Sequence, residues 1–164
     1  MNSSNPNEQI YPFTIWIDAD AVPGPVKEIV ITAALKRKIK TIFVANKAIA
    51  VPPSPIFSFV LVNKTPDAAD YYINDQASIF DFVITQDIPL AHLLVKRGVT
   101  VINPRGLRFT EDNIGERLSV RDLMEQLRDQ GQMTGGPAKF GDKEKRAFAA
   151  SFDRELTRLI RQTK

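Results

Sequence analysis

The sequence contains no cysteine and only one histidine, His92, among its 164 residues. The lack of cysteine excludes disulfide scaffolds, iron–sulfur clusters, thiol nucleophiles and cysteine-based zinc sites. A single histidine excludes two-histidine metal motifs, the three-histidine zinc site and the HExxH helix. Any metal site in this chain must therefore be built mostly from oxygen ligands.

Export signals, long apolar runs and common nucleotide-binding motifs are also missing. Residues 1–13 lack a basic segment followed by an apolar one, and no stretch approaches the roughly 18 apolar residues of a membrane helix. The glycine-rich patterns GxGxxG and GxxxxGK[ST] and the RNP signature do not occur, which argues against a dinucleotide enzyme, a P-loop NTPase and an RRM. We therefore expect a cytoplasmic protein with no membrane partner.

The positive charge of the chain is concentrated at its C-terminal end. The formal net charge is +3, and residues 142–164 carry seven Lys and Arg against four Asp and Glu, which accounts for the whole excess. The rest of the chain is neutral. A basic terminal helix favours RNA, another nucleic acid or an acidic protein as partner, although a solvated helix face explains the same excess equally well.

Short apolar strands alternate with helical segments along the first two thirds of the chain. This alternation predicts βαβ units and an α/β domain with a mostly parallel central sheet covered on both faces. Pro23 and Pro25 lie where the first helix is predicted to begin. In the second helix, Thr65 is the predicted N-cap and Pro66 the N1 residue. The predicted strands are 14–17, 40–45, 57–62, 82–84 and 99–102, and the predicted helices are 23–38, 66–78, 88–97, 110–130 and 142–161.

We divide the chain into four parts: a flexible N-terminus over 1–13, an α/β domain over 14–131, a Gly/Pro linker over 132–141 and a basic amphipathic helix over 142–164. The last helix carries an apolar stripe formed by Phe148, Phe152, Leu156 and Leu159. Such a stripe is expected to dock on the body of the protein or on a partner subunit, so a dimer through this helix is one of two expectations.

Five aspartates follow the ends of three predicted strands. Ligands of an open parallel sheet gather at the carboxyl ends of its strands, so these side chains are expected to converge on one edge. Like charges placed close together repel, and a fold tolerates them only if they take up protons or a cation. Oxygen ligands favour Mg²⁺ or Mn²⁺, which assist the hydrolysis of phosphodiesters. The predicted metal ligands are Asp18, Asp20, Asp67, Asp70 and Asp87.

Several of these aspartates also have a purely structural interpretation. Asp20 suits the cap of the helix that Pro23 opens, Asp67 complements the dipole of a first helical turn, and Asp87 suits the N-cap of the helix over 88–97. Asp18 is harder to explain in this way, because an apolar strand runs directly into it. Asp75 and Asp81 are expected at the surface and in a turn.

Basic residues near the same edge are candidates for binding phosphate. The candidates are Lys47, Lys64, Arg105 and Arg108, the last two in the segment Asn-Pro-Arg-Gly-Leu-Arg that follows the fifth predicted strand. This loop could direct backbone N–H groups and guanidinium groups to one anion. A solvated turn with two exposed arginines is the alternative interpretation.

Six ordered motifs give the chain a resemblance to the YaiI/YqxD family of uncharacterised bacterial proteins. They extend from about residue 14 to about residue 153. The motifs are Ile15-Trp16-Ile17-Asp18-Ala19-Asp20-Ala21-Val22-Pro23, Val44-Ala45-Asn46 with Val51-Pro52-Pro53-Ser54, Asp67-Ala68-Ala69-Asp70, Ile84-Thr85-Gln86-Asp87-Ile88-Pro89-Leu90-Ala91, Asn103-Pro104-Arg105-Gly106 and Thr134-Gly135-Gly136-Pro137.

The resemblance implies a PIN-like, three-layer α/β/α fold and a metal-dependent ribonuclease activity. It places the acidic metal set of PIN-like domains on Asp18, on Asp67 or Asp70, and on Asp87. Val22 departs from the family pattern, which usually has cysteine there, so a thiol at this position is not required for chemistry in an active member.

These observations leave three functional hypotheses. The first is a Mg²⁺- or Mn²⁺-dependent nuclease with Asp18, Asp70 and Asp87 as catalytic ligands or bases. The second is a phosphohydrolase of the haloacid dehalogenase type, in which Asp18 acts as nucleophile and Asp20 as general acid. The third is a non-catalytic RNA-binding or interaction module.

Overall fold

A computed structural model describes residues 11–131 and 139–163 of the chain. These residues form six strands and five helices. In chain order they are β1 (Ile15–Asp18), α1 (Gly24–Arg37), β2 (Thr41–Ala45), β3 (Phe57–Leu61), α2 (Ala68–Gln76), β4 (Phe82–Ile84), α3 (Ile88–Lys96), β5 (Thr100–Ile102), β6 (Arg108–Phe109), α4 (Glu111–Asp129) and α5 (Asp142–Gln162).

The strands form one sheet in the order β3-β2-β1-β4-β5-β6, parallel throughout except for the antiparallel pair β5–β6. Ile17 of β1 lies between Phe43 of β2 and Ile84 of β4. The chain therefore builds outward from β1 to β3 and then returns to continue on the other side of β1. This reversal creates a crevice at the carboxyl ends of β1 and β4, where ligands bind in open α/β sheets.

Helices cover both faces of the sheet. On one face, α1 and α5 pack over a core that contains Phe82, Phe148 and Phe152, and the Phe82 and Phe152 rings stack at 5.4 Å between centroids. On the other face, α2 and α3 cover a core around Trp16 and Leu94, and α4 packs on α3. The predicted α/β class and its three-layer arrangement are confirmed.

The apolar stripe of α5 docks on the sheet of its own chain, which is one of the two expectations stated for it. Phe148, Phe152, Leu156 and Leu159 are all buried there. Phe13 is buried as well, so the packed part of the chain begins before residue 14. Residues 1–10 of the predicted N-terminal segment and 132–138 of the predicted linker lie outside the described residues.

The predicted start of one helix was wrong, and one short strand was missed. The α2 helix begins at Ala68, because Asp67 occupies the N-cap with a left-handed φ of 68°, and Thr65 does not cap it. The two-residue strand β6 was not predicted, since a segment this short has no periodic pattern that distinguishes it from a loop. Within residues 11–131 and 139–163, no helix has both the length and the apolar character needed to cross a membrane.

Candidate functional site

Asp18 ends β1 and is buried at the reversal point of the sheet. Its side chain is 5% exposed, and its Oδ2 accepts a hydrogen bond of 2.9 Å from the Thr85 hydroxyl. The same hydroxyl oxygen accepts a bond of 2.9 Å from the backbone N–H of Asp87. Thr85, immediately after β4, thus connects the carboxylate of Asp18 to the backbone of Asp87.

Asp87 has two roles in the structure. Its Oδ1 accepts the backbone N–H of Leu90 at 2.8 Å, so it is the N-cap of α3, as the structural interpretation predicted. It also joins a carboxylate cluster with Asp67 and Asp70, in which one oxygen from each residue lies within 4.8 Å of the others. The capping role therefore does not exclude a role in binding a cation.

Burial, together with the negative charge of neighbouring carboxylates, raises the pKa values of Asp18 and Asp70 well above that of a free aspartate. Burial raises the pKa of Asp18 from 3.8 to about 6, against the lowering effect of the Thr85 hydrogen bond, and the charges of Asp87 and Asp20 raise it further. Burial also raises the pKa of Asp70, to about 8, together with its hydrogen bond to Asp87 and the neighbouring negative charges. Without a cation, the cluster is thus held together partly by protons.

The chemistry of this donor set fits a hard divalent cation. The groups offered are carboxylate oxygens alone, which suit Mg²⁺ or Mn²⁺. Asp67, Asp70 and Asp87 would hold such an ion. Asp18 lies close enough for its negative charge to raise the pKa of Asp70, and for the charge of Asp87 to raise its own pKa. A cation would replace the protons that the cluster otherwise takes up.

An open cleft of about 260 Å³ lies over the carboxylate cluster, and we call it the acidic cleft. Its wall combines Asp67, Asp70 and Asp87 with apolar groups of α2 and α3 and with Arg121 of α4. Arg121 reaches this position because α4 packs on α3. The cleft thus gives the carboxylates access to a ligand and includes one arginine in its wall.

Asp20 and Lys47 lie near the same edge but outside the cluster of three. Asp20 is exposed, and its Oδ2 accepts the backbone N–H of Asn46 at 2.7 Å, which joins the ends of β1 and β2. It does not cap α1, whose N-cap is Pro23 with no side-chain hydrogen bond. Lys47 is exposed two residues beyond β2.

The arginine loop after β5 has partners within the chain. The Asn103 side chain accepts the backbone N–H groups of Arg105 and Leu107, both at 2.9 Å. Gly106 has a φ of 92°, and a Cβ there would lie 2.6 Å from a backbone oxygen of α5, so this turn requires glycine. The loop therefore uses its backbone N–H groups to hold its own turn rather than to present them to an anion.

Both arginines of this segment pair with acids of α5. A guanidinium nitrogen of Arg105 lies 3.7 Å from Glu144, and one of Arg108 lies 3.4 Å from Glu155. Glu155 is buried and also pairs with Arg158 at 3.0 Å. The positive charge that sequence reasoning assigned to phosphate is thus largely balanced by the terminal helix.

Sequence reasoning missed the roles of three residues. The Thr-x-Asp spacing gave a local signal for Thr85, because a threonine hydroxyl commonly binds a backbone N–H two residues later. Arg121 gave no local signal, since its place depends on helix packing. Asp81 lies at the end of a turn, as expected, but it is buried. It accepts hydrogen bonds from the backbone N–H groups of Thr14 and Ser78 and from the Trp16 indole, so its role is structural.

Comparison with known proteins places the chain in a family. A family model described as "Uncharacterized BCR, YaiI/YqxD family" matches residues 16–158. A UPF0178 protein of Syntrophobacter fumaroxidans is 51% identical over 147 residues, which cover 90% of this chain and 96% of the relative. Another, of Myxococcus xanthus, is 50% identical with the same coverage.

A further UPF0178 protein, from Pseudomonas fluorescens, is 49% identical over 149 residues, or 91% of this chain and 99% of the relative. No solved structure gives a significant match to the chain. The family match spans β1 to α5 and includes every aspartate of the carboxylate cluster. The chain therefore belongs to the YaiI/YqxD family, whose relatives named here are UPF0178 proteins.

Proposed function

We propose that this protein is a Mg²⁺- or Mn²⁺-dependent nuclease that hydrolyses phosphodiester bonds, with RNA as the expected substrate. The observation that carries the proposal is the convergence of Asp67, Asp70 and Asp87, whose oxygens lie within 4.8 Å of one another in an open cleft. Asp18 lies beside them at the reversal point of the sheet.

The aspartates at the cleft would bind the cation, and the more deeply buried Asp18 would take up a proton. Asp70 and Asp87, half-buried on the cleft wall, would hold the cation together with the exposed Asp67. Asp18, whose Oδ2 is held by Thr85, would use its other oxygen to accept the proton of an attacking water, which is smaller than a phosphoryl group and needs less access to a buried carboxylate; its pKa of about 6 suits a base at neutral pH. A divalent cation would supply charge neutralisation, orientation of the phosphate and activation of water.

The phosphohydrolase hypothesis receives less support from the geometry. A nucleophilic Asp18 must reach a phosphoryl group, yet it is only 5% exposed and one of its oxygens accepts the Thr85 hydroxyl. The general acid of that scheme, Asp20, is bound to the Asn46 backbone. The non-catalytic module predicts no requirement for a cation, so metal dependence separates it from the nuclease.

Cleavage of a mixed pool of single-stranded RNA in Mn²⁺ tests the proposal directly. We expect the wild type to cleave, and Asp18→Asn to lose about 100-fold or more of the rate, on the order of a general base contribution, while it retains the fold. Asp129→Asn is the matched control, because Asp129 is an exposed acid at the end of α4, outside the acidic cleft. Equal cleavage by wild type and Asp18→Asn would remove Asp18 from the mechanism.

Thermal melting separates a non-catalytic module from a metal enzyme. A ligand that binds only the folded state stabilises it by about 2.7 kcal/mol at 100 times its dissociation constant. We expect Mn²⁺ to raise the melting temperature of the wild type and to raise that of Asp70→Asn much less. No shift for the wild type, combined with no cleavage, would favour the binding module.

A further inference from the structure

Two clefts meet at one exposed aromatic residue on α2. The acidic cleft lies on one side of Tyr71, and a larger cleft of about 660 Å³ lies on the other, between the end of β3 and α2. Tyr71 and Asn74 line both. A ligand that leaves the carboxylates in this direction must therefore pass over Tyr71 to reach the second cleft.

The Tyr71 ring is free to contact a ligand. Its side chain is 73% exposed, whereas the ring of the next residue, Tyr72, packs edge-on against Trp16 at 6.2 Å. Exposed Leu61 lines the larger cleft and exposed Leu93 lines the acidic cleft, so apolar surface continues on both sides of the ring. An exposed aromatic face in such a path is a surface on which a nucleic acid base can stack.

Arg121 provides positive charge in the acidic cleft. Its guanidinium group lies 3.2 Å from Asp122 and 3.2 Å from Glu125, both neighbours on α4 and both more than half exposed. Exposed pairs of this kind contribute little to stability and exchange readily. Arg121 can therefore turn from these partners to a phosphate oxygen, which a guanidinium group binds in a forked geometry.

We propose that Tyr71 stacks on an unpaired base of a nucleic acid strand and that Arg121 binds its phosphate, so that the strand runs from the acidic cleft over α2 into the larger cleft. This inference rests on the proposed function, since it assumes that the carboxylate cluster receives the phosphodiester. It adds the residues that bind the strand and a bound length of more than one nucleotide. A base inside a duplex offers no free face to Tyr71, so duplexes are excluded from this path.

The test measures binding rather than cleavage. Fluorescence anisotropy follows a short labelled phosphorothioate strand, which keeps one charge per linkage and resists hydrolysis, in Mn²⁺ so that the carboxylates do not repel it. An abasic strand of equal length and charge has no base to stack. Binding is measured for both ribose and deoxyribose strands, and dependence on Tyr71 for the base-bearing strand alone, in either sugar type, supports the proposal.

We expect Tyr71→Ala to weaken binding of the base-bearing strand by about 5- to 140-fold, the range that stacking of one base on an aromatic ring gives. The abasic strand should bind Tyr71→Ala and the wild type equally, and Tyr71→Trp should restore affinity for the base-bearing strand. Phe80→Ala is the matched control, because Phe80 is 63% exposed but lines neither cleft.

Arg121→Ala should weaken the binding of the base-bearing and the abasic strand by the same factor. It should also reduce the slope of log affinity against log salt concentration by about 0.7, the value for one contact between a cation and a phosphate of a single strand. Arg128→Ala, an exposed arginine on the same helix, is its control and should change neither quantity.

Failure of this proposal can be distinguished from failure of the nuclease. If the wild type cleaves RNA but Tyr71→Ala binds the base-bearing strand normally, the stacking site is overturned and the nuclease stands. If the wild type binds with the expected dependence on Tyr71 but does not cleave, the strand site stands without catalysis. Loss of self-association in Tyr71→Ala, measured by sedimentation, without any effect on strand binding would assign this surface to a second copy and overturn the proposal.

Discussion

Replacing Asp18 by asparagine should make the metal-free protein more stable at neutral pH, although it removes the proposed base. Asparagine has nearly the same shape as aspartate, and its Oδ1 can still accept the Thr85 hydroxyl. What it lacks is the negative charge that burial and the neighbouring carboxylates disfavour. The substitution therefore removes the cost of ionising Asp18 inside the protein, and also removes its repulsion of Asp70.

The magnitude follows from the pKa of Asp18, which rises from 3.8 to about 6. Each pKa unit corresponds to 1.36 kcal/mol, so the ionised form costs the folded state about 3 kcal/mol. Because the folded pKa is the higher one, the stability from the protonated carboxyl is fully present below about pH 4 and is lost as the pH rises to about 6. The asparagine of Asp18→Asn does not titrate, so this variant does not lose that stability as the pH rises.

Urea unfolding in a chelator, followed by the fluorescence of the single tryptophan, measures this difference. The free energy of unfolding of Asp18→Asn relative to the wild type should increase by about 2 kcal/mol between about pH 4 and pH 7, with unchanged urea dependence. Comparing two pH values cancels any loss of contact that does not depend on pH. A relative stability that stays constant over this range, or that decreases, would refute the account of Asp18 as a buried, destabilised carboxylate.

Two other substitutions test roles assigned to aspartates. Asp87→Ala and Asp87→Asn both remove the charge, but only asparagine can accept the Leu90 N–H, so Asn should be the more stable variant by about 0.5–2 kcal/mol in urea unfolding; equal stabilities would argue against the N-cap. Asp81→Ala leaves the N–H groups of Thr14, Ser78 and Trp16 without their acceptor and should cost roughly 3 kcal/mol or more, while the melting shift caused by Mn²⁺ stays that of the wild type. A lost Mn²⁺ shift in folded Asp81→Ala would contradict its purely structural role.

The placement of Asp18 and Asp87 at one edge of the sheet was predictable because it follows from the strand and helix pattern. Asp18 and Asp87 come after neighbouring parallel strands, and the carboxyl ends of such strands meet at one edge. The N-cap role of Asp87 was also accessible, because helix start signals are local. The first prediction uses the order of strands and helices, and the second uses only residues next to Asp87.

Features that depend on distant contacts could not be predicted in this way. Arg108 pairs with Glu155, 47 residues later, and Arg121 reaches the acidic cleft only because α4 packs on α3. Asp81 is buried by contacts with a strand more than 60 residues earlier in the chain. The left-handed backbone of Asp67 is a local feature. It was missed because the Thr65-Pro66 pair gives a stronger signal for a helix start than Asp67, the N-cap found in the structure.

The most direct test of the central claim is an anomalous diffraction map from crystals soaked in Mn²⁺, because Mn²⁺ can be located by its own scattering. We predict a peak in the acidic cleft within about 2.5 Å of carboxylate oxygens of Asp70 and Asp87, and no such peak in Asp70→Asn crystals soaked in the same way. A wild-type map without a peak between these carboxylates, at a Mn²⁺ concentration that supports cleavage, would contradict it.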